Sequence, residues 1–94
     1  DLLFKAILSL KNEEECYNFF EDLCTVPELK AMSQRIVVAK MLTDKKVYSD
    51  IVLKTGASTA TISRVNRSLI YGSDGYEMVF GRIFDTKEDK AEDK

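Results

Sequence analysis

Residues 56 to 69, Gly56-Ala57-Ser58-Thr59-Ala60-Thr61-Ile62-Ser63-Arg64-Val65-Asn66-Arg67-Ser68-Leu69, decide the fold of this chain. Spaced at about 100° per residue, Ile62, Val65 and Leu69 fall on one side of a helix, with Ser58 and Asn66 at its margins. Ala60, Arg64 and Arg67 lie opposite, flanked by Thr61, Ser63 and Ser68. Gly56 suits the left-handed position that ends a preceding helix, and Ser58 suits the N-cap that opens the next. Two short helices joined by a three-residue turn containing glycine make a helix-turn-helix, expected over about residues 49 to 69. The second helix of such a motif enters the DNA major groove with its N-terminal residues. The outer face fits that use, because small hydroxyls and a methyl group allow close approach while arginine donates to guanine or to phosphate. No carboxylate interrupts residues 51 to 73.

Charge follows the same division. The net charge of the 94 residues is −2, which taken whole argues against a nucleic-acid partner. Residues 28 to 68, however, carry eight basic groups against three acids, a local +5 between ends of −4 and −3. A basic middle between acidic ends is the distribution expected of a localised DNA face. Lys45, Lys46, Lys54, Arg64 and Arg67 are the candidate phosphate contacts. Ser49, Ser58, Thr59, Ala60, Thr61 and Ser63 are the candidates for closer approach to bases and backbone.

Outward from the motif the chain reads as all-α, about six helices, with one proline, few glycines and no alternating pattern. The first helix is expected over Leu2 to Leu10. The second starts at Asn12 as N-cap with Glu15 closing an approximate capping box, and its apolar face is Cys16, Phe19, Phe20, Leu23 and Cys24. The third starts after Thr25, with Pro27 and Glu28 in its first turn, and runs to about Thr43. Lys30, Gln34, Arg35 and Lys40 remain on it for solvent or a ligand. The fourth is expected from Ser49 as N-cap to residue 55, with Ile51, Val52 and Leu53 inward. Tyr71 to Gly75 reads as a loop, and a last helix from about Asp74 to Phe84 is expected to use Met78, Val79, Ile83 and Phe84 as its apolar face. Residues 1 to 85 thus form one expected domain, and residues 86 to 94 a charged, disordered tail.

Other function classes are weakly supported. With no histidine, no phosphate-binding glycine loop and no base near Cys16 or Cys24, the chain does not read as an enzyme. The two cysteines lie about 12 Å apart along a helix, too far for a mutual disulfide. They are expected to be buried thiols of a cytoplasmic protein, and they cannot form a usual zinc set. No run approaches a membrane span. The apolar content exceeds what one small core can hide, which points to self-association, the alternative being a compact monomer with a generous core.

The segment Gly56-Ala57-x-x-Ala60-Thr61-Ile62-Ser63-Arg64 resembles the Trp repressor family. The match extends through Ser68-Leu69 and back to Thr25-x-Pro27-Glu28, Ala31-Met32 and Arg35. The whole chain is similar to the Trp-repressor-related family called YerC/YecD. The resemblance implies an intertwined homodimer with two reading heads about one DNA turn apart, hence a palindromic operator. It implies a sequence-specific transcriptional regulator, a repressor, with double-stranded DNA as its partner and no cofactor beyond a small-molecule effector. Thr25, Arg35, Arg64, Val65 and Ser68 match the family's effector pocket. Val65 replaces the glycine that lies beside the indole, which argues against tryptophan as that effector. Arg35 alternatively pairs with an acid such as Glu28 or Asp50, and Arg64 alternatively contacts phosphate. A helical protein-interaction module and a less specific DNA-binding protein are the competing functions.

Overall fold

The computed structural model describes residues 1–84, and helices account for most of them: α1 (Leu2–Leu8), α2 (Glu13–Leu23), α3 (Val26–Thr43), α4 (Tyr48–Thr55), α5 (Thr59–Tyr71) and α6 (Gly75–Ile83). No strand occurs among the described residues. The charged tail expected from residue 86 lies outside them. The chain divides into two compact units, Asp1–Met32 and a second that begins at Ser33.

In the first unit each helix start is fixed by a side chain. Asp1 accepts from the Leu3 and Phe4 amides at 2.9 and 3.4 Å. α1 stops two residues before the expected Leu10, where the Ser9 hydroxyl bonds back to the Ala6 carbonyl at 2.6 Å. Asn12 caps α2 by accepting from the Glu15 amide at 2.9 Å, while Glu15 reaches back to the Lys11 amide rather than to the Asn12 amide of a full capping box. Neither α1 nor α2 contains a buried residue. Phe19 and Phe20 meet edge to face at 5.5 Å, but Cys16 is exposed and Cys24 half-buried, so the expectation of buried thiols fails for the single chain. A helix that is apolar along one stripe can bury that stripe only against another element.

Thr25 and Glu28 make the reciprocal pair expected at the start of α3: the Thr25 amide donates to Glu28 at 2.8 Å, and the Glu28 amide donates to the Thr25 hydroxyl at 3.2 Å. The Thr25 backbone amide, with help from its hydroxyl, holds the Glu28 carboxyl below its ordinary value of 4.5. A carboxyl depressed in the folded state contributes stability that is present above the unfolded pKa and is lost as pH falls through the folded one. Thermal midpoints followed from about pH 6 to about pH 3 should therefore fall less for Glu28→Gln, which keeps the cap without the charge, than for the unaltered chain. Parallel curves would remove Glu28 from the acid response.

The second unit contains the core. Val38 and Ala39 of α3, Ile51 of α4, Ala57 of the turn that follows it, Ile62 and Val65 of α5, and Phe80 of α6 are its buried residues, with Met41, Leu42, Leu69 and Tyr76 packed against them. α3 ends in a Schellman arrangement, in which the Lys46 amide donates to the Met41 carbonyl and the Lys45 amide to that of Leu42, both at 3.0 Å. Lys45 occupies the left-handed position of this motif at φ 67°, where a Cβ is disfavoured and glycine is the usual residue. Lys45→Gly should raise the unfolding free energy by roughly 1 kcal/mol, read as a higher urea midpoint with unchanged slope. A lower midpoint would show that the lysine side chain contributes more than its backbone strain removes.

Three expectations for this unit differ from what the structure shows. Ser49 is not the N-cap of α4, because the Schellman end of α3 leaves Val47 extended and α4 begins at Tyr48 with no side-chain cap. Leu53 is 82% exposed and points away from the core, whereas Ile51 is fully buried. In α6 the inward stripe is Tyr76 and Phe80, stacked at 5.9 Å, with Phe84 edge-on to Phe80 at 5.5 Å. Met78, Val79 and Ile83 are exposed, and Phe84 is only partly covered. Both faces of this helix are apolar, so periodicity alone selected the wrong one.

Candidate nucleic-acid interface

α4 and α5 are joined by Gly56, Ala57 and Ser58, and each residue of the turn has a physical reason to be there. Gly56 adopts φ 74°, and its amide closes α4 onto the Val52 carbonyl at 2.8 Å. Ala57 is 2% exposed, so its methyl fills the space between the helices. Ser58 caps α5 by accepting from the Thr61 amide at 3.1 Å and is within hydrogen-bonding distance of the Thr61 hydroxyl, also at 3.1 Å. Thr55 secures the end of α4 through its hydroxyl, which donates to Ile51 at 2.7 Å and accepts from the Ala57 amide at 3.1 Å. Gln34 of α3 donates to the Thr55 carbonyl at 3.1 Å, so it is a brace for the motif and not a free ligand group.

The core face of α5 holds Ile62 and Val65, which leaves the opposite face to solvent. Ser58, Thr59, Ala60, Ser63, Arg64 and Arg67 are exposed there, as are Lys45, Lys46, Ser49 and Lys54 on the preceding segments; Thr61 is half-buried by its contact with Ser58. The N-terminus of α5 adds the positive end of the helix dipole to this surface. Asp44, the nearest acid before α4, is occupied by Lys40 at 2.9 Å. The same Lys40 ammonium lies 4.6 Å from the Phe84 ring centre, so it is engaged within the unit.

Along the outer side of α5 runs a groove of about 380 Å³. Tyr48 of α4 and Ser63, Arg64, Asn66, Arg67 and Tyr71 of α5 line it. The Arg67 guanidinium lies 5.8 Å from the Tyr71 ring centre. Neither tyrosine was singled out in the sequence. The Arg67 and Tyr71 spacing of four residues was visible there, but Tyr48 joins them only through the packing of α4 on α5.

The residues matched to an effector pocket each have their own surroundings within their units. Arg35 is exposed, and no acid lies within 4.0 Å of it among the described residues, so the pairing with Glu28 or Asp50 is not made. Thr25 is engaged in capping α3. Val65, which the resemblance put beside a ligand, is 2% exposed and belongs to the core. Arg64 lines the polar groove, and Ser68 lines a different, apolar one of about 460 Å³ together with Ile36, Tyr76, Val79 and Phe80.

Six helices carrying a helix-turn-helix with this turn are matched from end to end by one family model, that of the Trp repressor protein, over residues 1–83. The chain belongs to the Trp repressor family. Within the Trp repressor family it is 53% identical over 91 residues to the uncharacterized protein YerC of Bacillus subtilis (strain 168), covering 97% of this chain and 88% of that one. A TrpR-like protein from Eubacterium eligens shares 63% identity and a TM-score of 0.85, over 87% of this chain and 84% of its own. A putative Trp repressor from Staphylococcus aureus gives 57% identity and the same TM-score of 0.85, over 88% and 83% of the two chains. The Trp repressor family is one of non-enzymatic DNA-binding regulators, which agrees with the reading of the chain as a regulator and not an enzyme. Among the described residues no helix is long and apolar enough to cross a membrane.

Proposed function

We propose that this protein is a sequence-specific transcriptional regulator, a cytoplasmic repressor that reads a palindromic operator as a homodimer. The observation that carries the reading is the outer face of α4 and α5, which is exposed, basic and rich in small hydroxyls, with no carboxylate from residue 51 to 73. Lys45, Lys46, Lys54, Arg64 and Arg67 dock on phosphates. Thr59, Ala60, Thr61 and Ser63, with Ser49 and Ser58 beside them, approach base edges and backbone, with contacts of this short kind completed by water. The homodimer is supported by the apolar residues that one chain leaves exposed, among them Leu2, Phe4 and Leu8 of α1 and Met78, Val79 and Ile83 of α6. Large apolar side chains left exposed in this number are expected to be covered.

Tryptophan is not the effector in this reading. Where the family has a glycine beside the indole, this chain has Val65, whose side chain is part of the core, so relocating it to admit a ring would open a cavity. Selection of bound duplexes from a random-sequence library, with and without a metabolite mixture containing tryptophan, tests both statements. A palindromic consensus enriched equally in the two arms is expected. No enrichment sinks the specific regulator and favours an interaction module or a nonspecific binder; enrichment only with tryptophan sinks the effector statement alone.

A further inference from the structure

We propose that the groove between Tyr48 and the C-terminal half of α5 seats one backbone phosphate of the DNA strand that flanks the bases read by α5. This rests on the DNA-binding reading above and extends the interface beyond the turn and the first half of the reading helix. Every polar side chain on the groove wall can donate a hydrogen bond: two guanidinium groups, two phenols, a hydroxyl and an amide, with no carboxylate among them. A wall of donors with two fixed positive charges selects an anion with several acceptor oxygens, and phosphate meets that description.

Position then selects the strand over the bases. Base edges are read from the N-terminal residues of the second helix, whereas Arg67 lies eight residues into α5 and Tyr71 is its last residue. Arg67 therefore stands about 12 Å of helix rise from Thr59, along the same outer side. Ile70 adds an apolar floor, suited to the sugar beside the phosphate. The Tyr71 ring beneath Arg67, at 5.8 Å, holds the guanidinium over the groove before any ligand arrives. Less side-chain freedom is then lost on binding. Tyr48 contributes its hydroxyl from the first turn of α4, so a phosphate in this seat touches both helices of the motif.

The seat is tested with a selected operator duplex in which single phosphates are replaced by neutral methylphosphonates, titrated against the unaltered chain and against Arg67→Ala, Tyr48→Phe and Tyr71→Ala. One position per half-site, outside the enriched bases, should weaken binding of the unaltered chain about 5-fold near 0.15 M salt. The same replacement should cost Arg67→Ala nothing further, as in a double-mutant cycle. Tyr48→Phe should lose roughly 3- to 10-fold on the normal duplex and less on the neutralised one. All three side chains are on the surface, and circular dichroism checks that the variants stay folded. Penalties that remain the same in every variant overturn the seat while leaving the regulator intact. Binding of inorganic phosphate that is lost in Arg67→Ala, with duplex penalties unchanged, assigns the groove to a free anion and also overturns it. An unaltered chain that binds no duplex overturns the seat and the regulator together.

Discussion

Replacing Ile62 with alanine lowers the unfolding free energy by about 2–5 kcal/mol, the range for removing a buried aliphatic side chain and leaving a cavity. Ile62 is fully buried, and it is the point at which α5 joins residues of α3, α4 and α6 in one core. Among the described residues only seven form the buried part of that core, so little neighbouring material can collapse into the space. Stabilities of small domains are about 5–15 kcal/mol in total, and the variant should be partly unfolded at modest temperature. Urea unfolding followed by circular dichroism reads the shift, with Leu53→Ala as the control. Leu53 is 82% exposed on the neighbouring helix, and its truncation should change stability by no more than about 0.5 kcal/mol. A shift below about 1 kcal/mol for Ile62→Ala would contradict the central position given to this side chain.

The second large effect is on DNA. Lys46→Ala, Lys54→Ala and Arg64→Ala together should weaken operator binding roughly 150-fold at 0.15 M salt and make the salt dependence shallower by about 2.7 in log–log slope. The figure follows from a slope of about 0.9 per neutralised phosphate, or roughly 5-fold per contact at that ionic strength. All three side chains are exposed and none is in an ion pair among the described residues, so their loss should leave the helices intact. Lost affinity with an unchanged slope would move these residues from phosphate to base contacts. Unchanged affinity would place the DNA surface elsewhere on the chain.

What the sequence made legible follows the range of the interactions involved. The turn at Gly56 to Ser58 was readable because a left-handed glycine, a serine cap and a 3.6-residue apolar spacing are local features that agree with one another. The start of α3 was readable for the same reason, since Thr25 and Glu28 are three residues apart and satisfy each other. The start of α4 was not. It is set by the hydrogen bonds that end α3, and Val47 has no side-chain group to announce it. The orientation of α6 was also hidden, because Tyr76, Phe80 and Phe84 form one apolar stripe and Met78, Val79 and Ile83 another; only packing against α3 and α5 chooses between them. Cys16 shows a further limit, since burial expected from an apolar stripe presumes a partner element that a single chain need not contain. At the candidate interface the basic residues could be found by counting charge along the chain, but Tyr48 could be added only once two helices were in place.

Lys45 makes stability a misleading guide to performance in this protein. Its backbone holds a conformation that glycine would adopt more easily, so a screen that ranks variants by melting temperature alone would select its replacement. The same screen would remove a cation that is proposed to dock on phosphate. On the proposed interface, the end of α3 is therefore a place where optimising the free protein and optimising the bound one pull in opposite directions, and variants there have to be ranked on DNA.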